Sequence, residues 1–172
     1  MSRLAMRKAV GEYLRENRIP HVGEVYNARP ELMPENAYEA NIFGELATTA
    51  HGSSAVLVVN MPSDTRQRRA DTGRGAVNDS HIYDTTVEVF FASTGGEAIQ
   101  AQEDYDGIVD EIINLIRANA TLNAPSTVWS AGEYEKGVQH KQGEPFTDAD
   151  GMTIFIYGVV MFEAWEWIAG NV

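Results

Sequence analysis

The stretch Ile82-Tyr-Asp-Thr-Thr-Val-Glu-Val-Phe-Phe-Ala92 decides the fold. It alternates. Thr85, Val87, Val89 and Phe91 fall on one side of an extended chain, and Asp84, Thr86, Glu88 and Phe90 on the other, the period-2 signature of a β-strand. Upstream, Ala55-Val-Leu-Val-Val-Asn-Met61 reads as a buried strand that Pro62 stops. Residues 63–77 between them hold four arginines and two glycines, so the two strands form a hairpin with an oversized loop.

Working outward, Thr94-Gly-Gly-Glu97 matches a capping box. The helix behind it carries Tyr105, Ile108, Val109, Ile112, Ile113 and Ile116 as one apolar stripe. Acidic residues crowd its N-terminal half and Arg117 sits near its end, as the helix dipole favours. At the other end of the chain, Met6, Val10, Tyr13 and Leu14 share one face of an N-terminal helix over residues 3–17, with Ser2 as its cap. Pro20 prevents its continuation. A weak strand follows at Val22–Tyr26. Thr127–Ser130 is a short strand carrying Trp129. Met152–Ala164 is the last long strand, with Gly158 as a bulge. The polar stretches 27–54, 62–81 and 131–151 are long excursions. The expectation is a single α+β domain over residues 1–172: one largely antiparallel or mixed sheet flanked by two helices.

Composition narrows the function. The 172 residues carry 13 Lys and Arg against 25 Asp and Glu, a net charge of −12, and no Cys. That excludes a disulfide scaffold, a thiolate metal site and cysteine catalysis, and it argues against a general nucleic-acid binder. The N-terminus has no apolar signal-peptide core, and the longest apolar stretch is too short for a spanning helix. A soluble protein made in the cytosol is expected. The charge is also segregated. Residues 1–18 hold five basic side chains (Arg3, Arg7, Lys8, Arg15, Arg18) against two acidic ones. Residues 66–74 hold Arg66, Arg68, Arg69 and Arg74 against Asp71. The remainder has four basic and 22 acidic residues. Such polarity suits docking between copies or on a second protein, and four arginines in nine residues repel one another unless an anionic partner is near.

Candidate chemistry is thin. Asp79 and His81 point to one side of an extended chain and, with Asp84 nearby, form a candidate metal set. Asp148-Ala-Asp-Gly151 matches the start of a calcium loop but lacks its closing Glu, since position 159 is Val. A turn before a strand is the better reading. Asp106 and Asp110 lie on the solvent side of the isoleucine helix. Nothing matches a phosphate loop or a nucleophile elbow. The reading is of a protein that is not an enzyme, with no catalytic, cofactor or metal residues. Trp165 and Trp167, on one side of an extended chain with Glu163, suit either core closure or a protein interface.

In its order of elements the chain resembles the tail terminator (minor tail or tail-completion) proteins of long-tailed bacteriophages. The resemblance rests on the N-terminal helix, Ala55–Met61, the arm, Asp84–Ala92, the helix Glu97–Ala118, Thr127–Glu133 and Tyr157–Glu163, and it covers residues 3–168. It implies an α+β fold without enzymatic activity or cofactor. It also implies a virion protein assembled in the host cytoplasm, present as a homohexameric ring that caps the tail tube and joins it to a head–neck connector protein. In that family a hairpin arm makes ring and tube contacts; the corresponding segment here is Met61–His81. Arg66, Arg68, Arg69 and Arg74 on the arm, Arg3 and Arg7 on the helix, and Trp165 and Trp167 are the expected interface residues. An acidic wall would let DNA pass through the lumen without specific binding, and no membrane is involved. The alternatives are another head–tail connector, such as a head-completion or stopper protein, and a small acidic metal-dependent enzyme using Asp79, His81 and Asp84.

Overall fold

In the computed structural model, residues 3–28, 42–44, 46, 52–70, 77–128, 130–132 and 137–168 are described. The side chains of residues 66–70, 77–79, 167 and 168 are outside that set, as are the expected Ser2 cap and Trp129. Helix α1 (Arg3–Glu16) leads to β1 (Val22–Tyr26), then β2 (Ser53–Ala70) and β3 (Val77–Thr94). Helix α2 (Ala98–Ala118) follows, then β4 (Ser130–Ala131), β5 (Gln139–Gln142), β6 (Phe146–Thr147) and β7 (Thr153–Ile168). The strands make one mixed sheet in the order β1-β2-β3-β7-β4, with β5 and β6 also laid along β7. Among the described strands only β1 runs parallel to its neighbour. The fold is α+β, as the alternating strands and two apolar helix stripes require.

Helices α1 and α2 cover the same face. Met6, Val10, Tyr13 and Leu14 of α1 and Tyr105, Ile108, Val109, Ile112 and Ile116 of α2 are buried against Leu57, Val59, Val87, Val89, Phe91, Ile156 and Val160. Each such side chain contributes roughly 1.5–3 kcal/mol on burial. Tyr13 fastens the two helices together by donating to Leu115 O at 2.8 Å. The alternation read in β3 holds: Val87, Val89 and Phe91 meet the helices, while Phe90 and Ala92 meet a second cluster on the far face. That cluster contains Ile42, Phe43 and Leu46, with Phe43 edge-on to Phe90 and Phe155 at ring separations of 5.3 and 5.2 Å. The parallel pairing of β1 with β2 gives the excursion 27–54 a physical reason. Parallel neighbours need a crossover of a dozen or more residues, and the described residues of this one, helical at 42–44 and 46, bury their apolar side chains on the face that α1 and α2 leave bare.

Five details differ from the sequence reading. The short strand read at Thr127–Ser130 is instead β4 at Ser130–Ala131, with Thr127 in a turn whose amide donates to Ala124 O at 2.8 Å. Strand β2 does not stop at Pro62; it runs on to Ala70. The register passes from Asn60 opposite Thr86 to Ser63 opposite Asp84, so Met61 and Pro62 share Thr85 in a bulge, where a proline is tolerated. Gly158 is not a bulge, since β3 and β7 pair without a register shift from Thr153 to Ile168. Its missing side chain instead admits the Tyr105 hydroxyl, which an added Cβ would strike, with His140 Nε2 and Lys141 O each 3.0 Å away. The capping box does not form. Thr94 still belongs to β3, its amide bonded to Gly52 O, and Gly95 at φ +74° turns the chain, so Glu97 becomes the N-cap without a side-chain cap bond. Finally, 131–151 is only partly excursion, because β5 and β6 pair with β7. The turn before β7 is as expected: Asp148 Oδ1 accepts the amides of Met152 and Thr153 at 2.9 and 3.2 Å.

Two glycines give a paired test. Gly158→Ala must overpack the Tyr105 site and is expected to cost about 1–3 kcal/mol. Gly107→Ala, in α2 with open space around it, is expected to gain about 0.5–1 kcal/mol. Urea denaturation of the two variants checks both signs.

Candidate functional site

The expected interface segment is a continuation of the sheet. Beyond the bulge, Ser63–Ala70 pairs with Val77–Asp84, and β3 pairs in turn with Glu163–Ile168 of β7. Eight residues of β2 add about 25 Å of strand at the usual rise. The arm is thus three strands wide where β7 accompanies the hairpin. The backbones of Arg66, Arg68 and Arg69 lie opposite His81, Asp79 and Asn78. Arg74 falls outside the described residues.

The bulge determines which side chains meet at the arm's root. One extra residue in β2 shifts the alternation, so that Asp64 comes opposite Tyr83, on the helix-bearing face. A connected polar cluster results. Tyr83 donates its hydroxyl to Glu166 Oε2 at 2.8 Å and lies 3.1 Å from His81 Nδ1. The His81 Nε2 is 2.7 Å from Asp64 Oδ2. Arg3, from the first turn of α1, reaches Asp64 at 3.8 Å and donates to the carbonyl of Met61 in the bulge. Tyr83 and Glu166 are buried, at 1% and 3% exposure. Burial, together with the Glu166 carboxylate, pushes the Tyr83 phenol well above its ordinary range, so it stays a donor. Helix, bulge, hairpin and last strand are tied here by side chains from four elements.

The other expected residues divide. Arg3 is an internal tie as well as a surface cation. Arg7 is half-buried, with its Nε enclosed and without a hydrogen-bond partner among the described residues. Trp165 is 6% exposed, opposite Ile82 of β3 and Ser130 of β4, so it closes core. Trp167 is placed only by its backbone, opposite Ser80. The structure does not assemble the set Asp79, His81 and Asp84. Strand alternation sends Asp84 to the face opposite His81, where Ser63 donates to it, and the Asp79 side chain is outside the described set. Among the described residues no group of three or more His, Asp or Glu side chains is placed to hold a metal ion.

A second polar contact joins α2 to the sheet through the Gly158 gap: Tyr105 Oη and His140 Nε2 are 2.9 Å apart. Burial holds the His140 imidazole below its ordinary pKa, only partly offset by Asp106 and Asp110. On the far face, buried Glu88 accepts the Tyr157 hydroxyl at 3.0 Å. The sequence reading missed Asp64, Tyr83 and Glu166 as a group. The signal available was an acidic residue on each of two strands flanking a Tyr and a His two apart, visible only once the bulge is placed.

Comparison with known proteins adds no relative: no protein-family model matches the chain, and no curated protein matches it. Among the described residues no helix is long and apolar enough to cross a membrane.

Two measurements follow from this geometry. Tyr83→Phe strips a buried carboxylate and His81 of a hydroxyl partner and is expected to cost about 1–3 kcal/mol in urea denaturation. For His140, whose folded-state pKa is lowered, the contribution to stability is complete above the unfolded value of 6.5 and falls away as the pH drops through it, because the unfolded chain binds the proton first. Urea midpoints at pH 7.5 and 5.5 are expected to differ less in His140→Gln than in the unaltered protein.

Proposed function

We propose that this protein is a structural subunit of a long-tailed bacteriophage virion, forming a homohexameric ring that caps the tail tube and joins the tail to the head–neck complex. The observation that carries the reading is the arm: an arginine-bearing hairpin whose strands run on from the core sheet past the bulge, braced at its root by side chains. A projecting basic strand pair on a chain that is otherwise acidic is a means of reaching an acidic neighbour. A ring needs heterologous faces, and segregated charge supplies two that differ. The tube protein and a neck connector are the partners of this reading, and the acidic remainder faces a DNA passage without offering counterion-release affinity. The separation of His81 from Asp84 removes support from the metal-enzyme alternative.

The test is charge reversal of the arm. Arg66, Arg68, Arg69 and Arg74 changed together to Glu are expected to abolish tube capping and head–tail joining while the isolated subunit still folds. Joining that persists at the unaltered level would remove the arm from its assigned role. A reconstruction of the virion neck placing the chain on the portal side would favour a head-completion or stopper protein instead.

A further inference from the structure

A second binding feature lies at the edge of the sheet away from β7. Strand β1 is the terminal strand, and the last turn of α1 runs beside it. Between them is a groove of about 430 Å³. Its apolar walls come from Leu14, Ile19 and Val25, all at least 96% buried, with half-buried Val22 beside them. Among the described residues its rim carries Arg15 and Arg18 against one carboxylate, Glu24. The chain enters the groove through two non-glycine residues at positive φ, Arg18 at 48° and His21 at 63°, flanking Ile19 and Pro20. This turn brings Arg18 to the rim and buries Ile19.

Among the described residues, the groups of β1 that face the groove carry local partners an incoming strand would replace: the Val22 amide donates to Ile19 O at 3.2 Å. Ala55 donates to His21 O, and the register then makes Val25 face away from β2. Its carbonyl accepts Arg15 Nη2 at 2.6 Å instead of a strand amide. Arg15 thus shields the edge, a common way of blunting an exposed strand. Gly23 has open space around it and offers no side chain to block an approaching backbone. A guanidinium on a strand carbonyl is replaceable when an incoming amide takes the carbonyl and an incoming carboxylate takes the guanidinium.

We infer that the α1–β1 groove is a strand-addition site for an extended acidic segment of a partner protein, with alternating aliphatic and carboxylate side chains. Main-chain pairing to Val25 supplies affinity. The aliphatic side chains pack on half-buried Val22 and past the open Gly23, and the carboxylates meet Arg15 and Arg18. The choice of an acidic occupant rests on charge complementarity: among the described lining residues, Arg15 and Arg18 stand against the single carboxylate of Glu24. The site is independent of the arm, and it stands or falls separately from the tail-capping role.

The probe is the blocked peptide acetyl-Val-Glu-Val-Glu-Val-amide, with acetyl-Val-Lys-Val-Lys-Val-amide as its counterpart, titrated into the full chain by calorimetry and by amide NMR. The acidic peptide is expected to bind, to shift the amides of Val22–Tyr26, and to bind at least tenfold more weakly to Arg18→Glu. The Arg18 side chain is exposed, and an amide spectrum of the variant matching that of the parent outside residues 14–27 verifies its fold. Absence of binding at millimolar peptide, equal binding of the lysine peptide, or shifts confined to other strands would each overturn the inference. If Arg18→Glu does not fold, Arg15→Gln with the same two peptides decides it: unchanged affinity for the acidic peptide would count against the site.

Discussion

One extra residue in β2, at Met61–Pro62, sets the arrangement of everything beyond it. The side-chain period of a strand is two, so an inserted residue exchanges the faces of all that follow. With the bulge, Asp64 stands opposite Tyr83 and within reach of His81 and Arg3. Without it, Asp64 would join the opposite face, and His81 and Tyr83 would lose the partner that links them to α1. Pro62 fits this place because it has no amide to offer a ladder, and a bulge leaves one residue unpaired. The proline that looks like a stop is the point at which the sheet changes phase and continues.

The polar cluster at the arm's root gives that extension its stiffness. Apolar packing by the two helices ends near Met61 and Tyr83, and a bare hairpin beyond a core is marginal in water. Here β7 runs alongside as a third strand, and Glu166 from it bonds Tyr83 from β3. Buried polar networks confer specificity when their members are satisfied and are costly otherwise. The tight sequence Arg3–Asp64–His81–Tyr83–Glu166 satisfies the pairs it brings together, so the arm inherits a defined direction from the core. The proposed contact with a neighbouring subunit depends on that fixed direction.

Much of this fold is legible in the sequence, for reasons that name its limits. Periodicity reports burial, so the stripes of α1 and α2 and the alternation of Ile82–Ala92 can be read directly, because one side of each element meets the core. Pairing partners leave a weaker trace. Nothing local distinguishes β1 as a parallel strand; β5 is wholly polar and β6 is two residues long, too short for a period to show, since β7 supplies the pairing. The capping-box pattern at Thr94–Glu97 misleads because Thr94 is needed by the sheet. For the candidate site, the arginines stand out by composition and Trp165 by size. The decisive side chains, Asp64 and Glu166, do not, because their meeting depends on a bulge and on two contacts distant in sequence.

The arm is a preformed part of the sheet in the isolated protein, directed by the bulge and its polar cluster. Amide hydrogen exchange of the unassembled chain tests it most directly. The account predicts protection at Ile82, Tyr83 and Asp84 and at Ala164–Glu166 approaching that of Val87–Phe91, reduced in Tyr83→Phe. Exchange at unprotected rates throughout residues 77–84 and 163–168, with the Val87–Phe91 region fully protected, would contradict it.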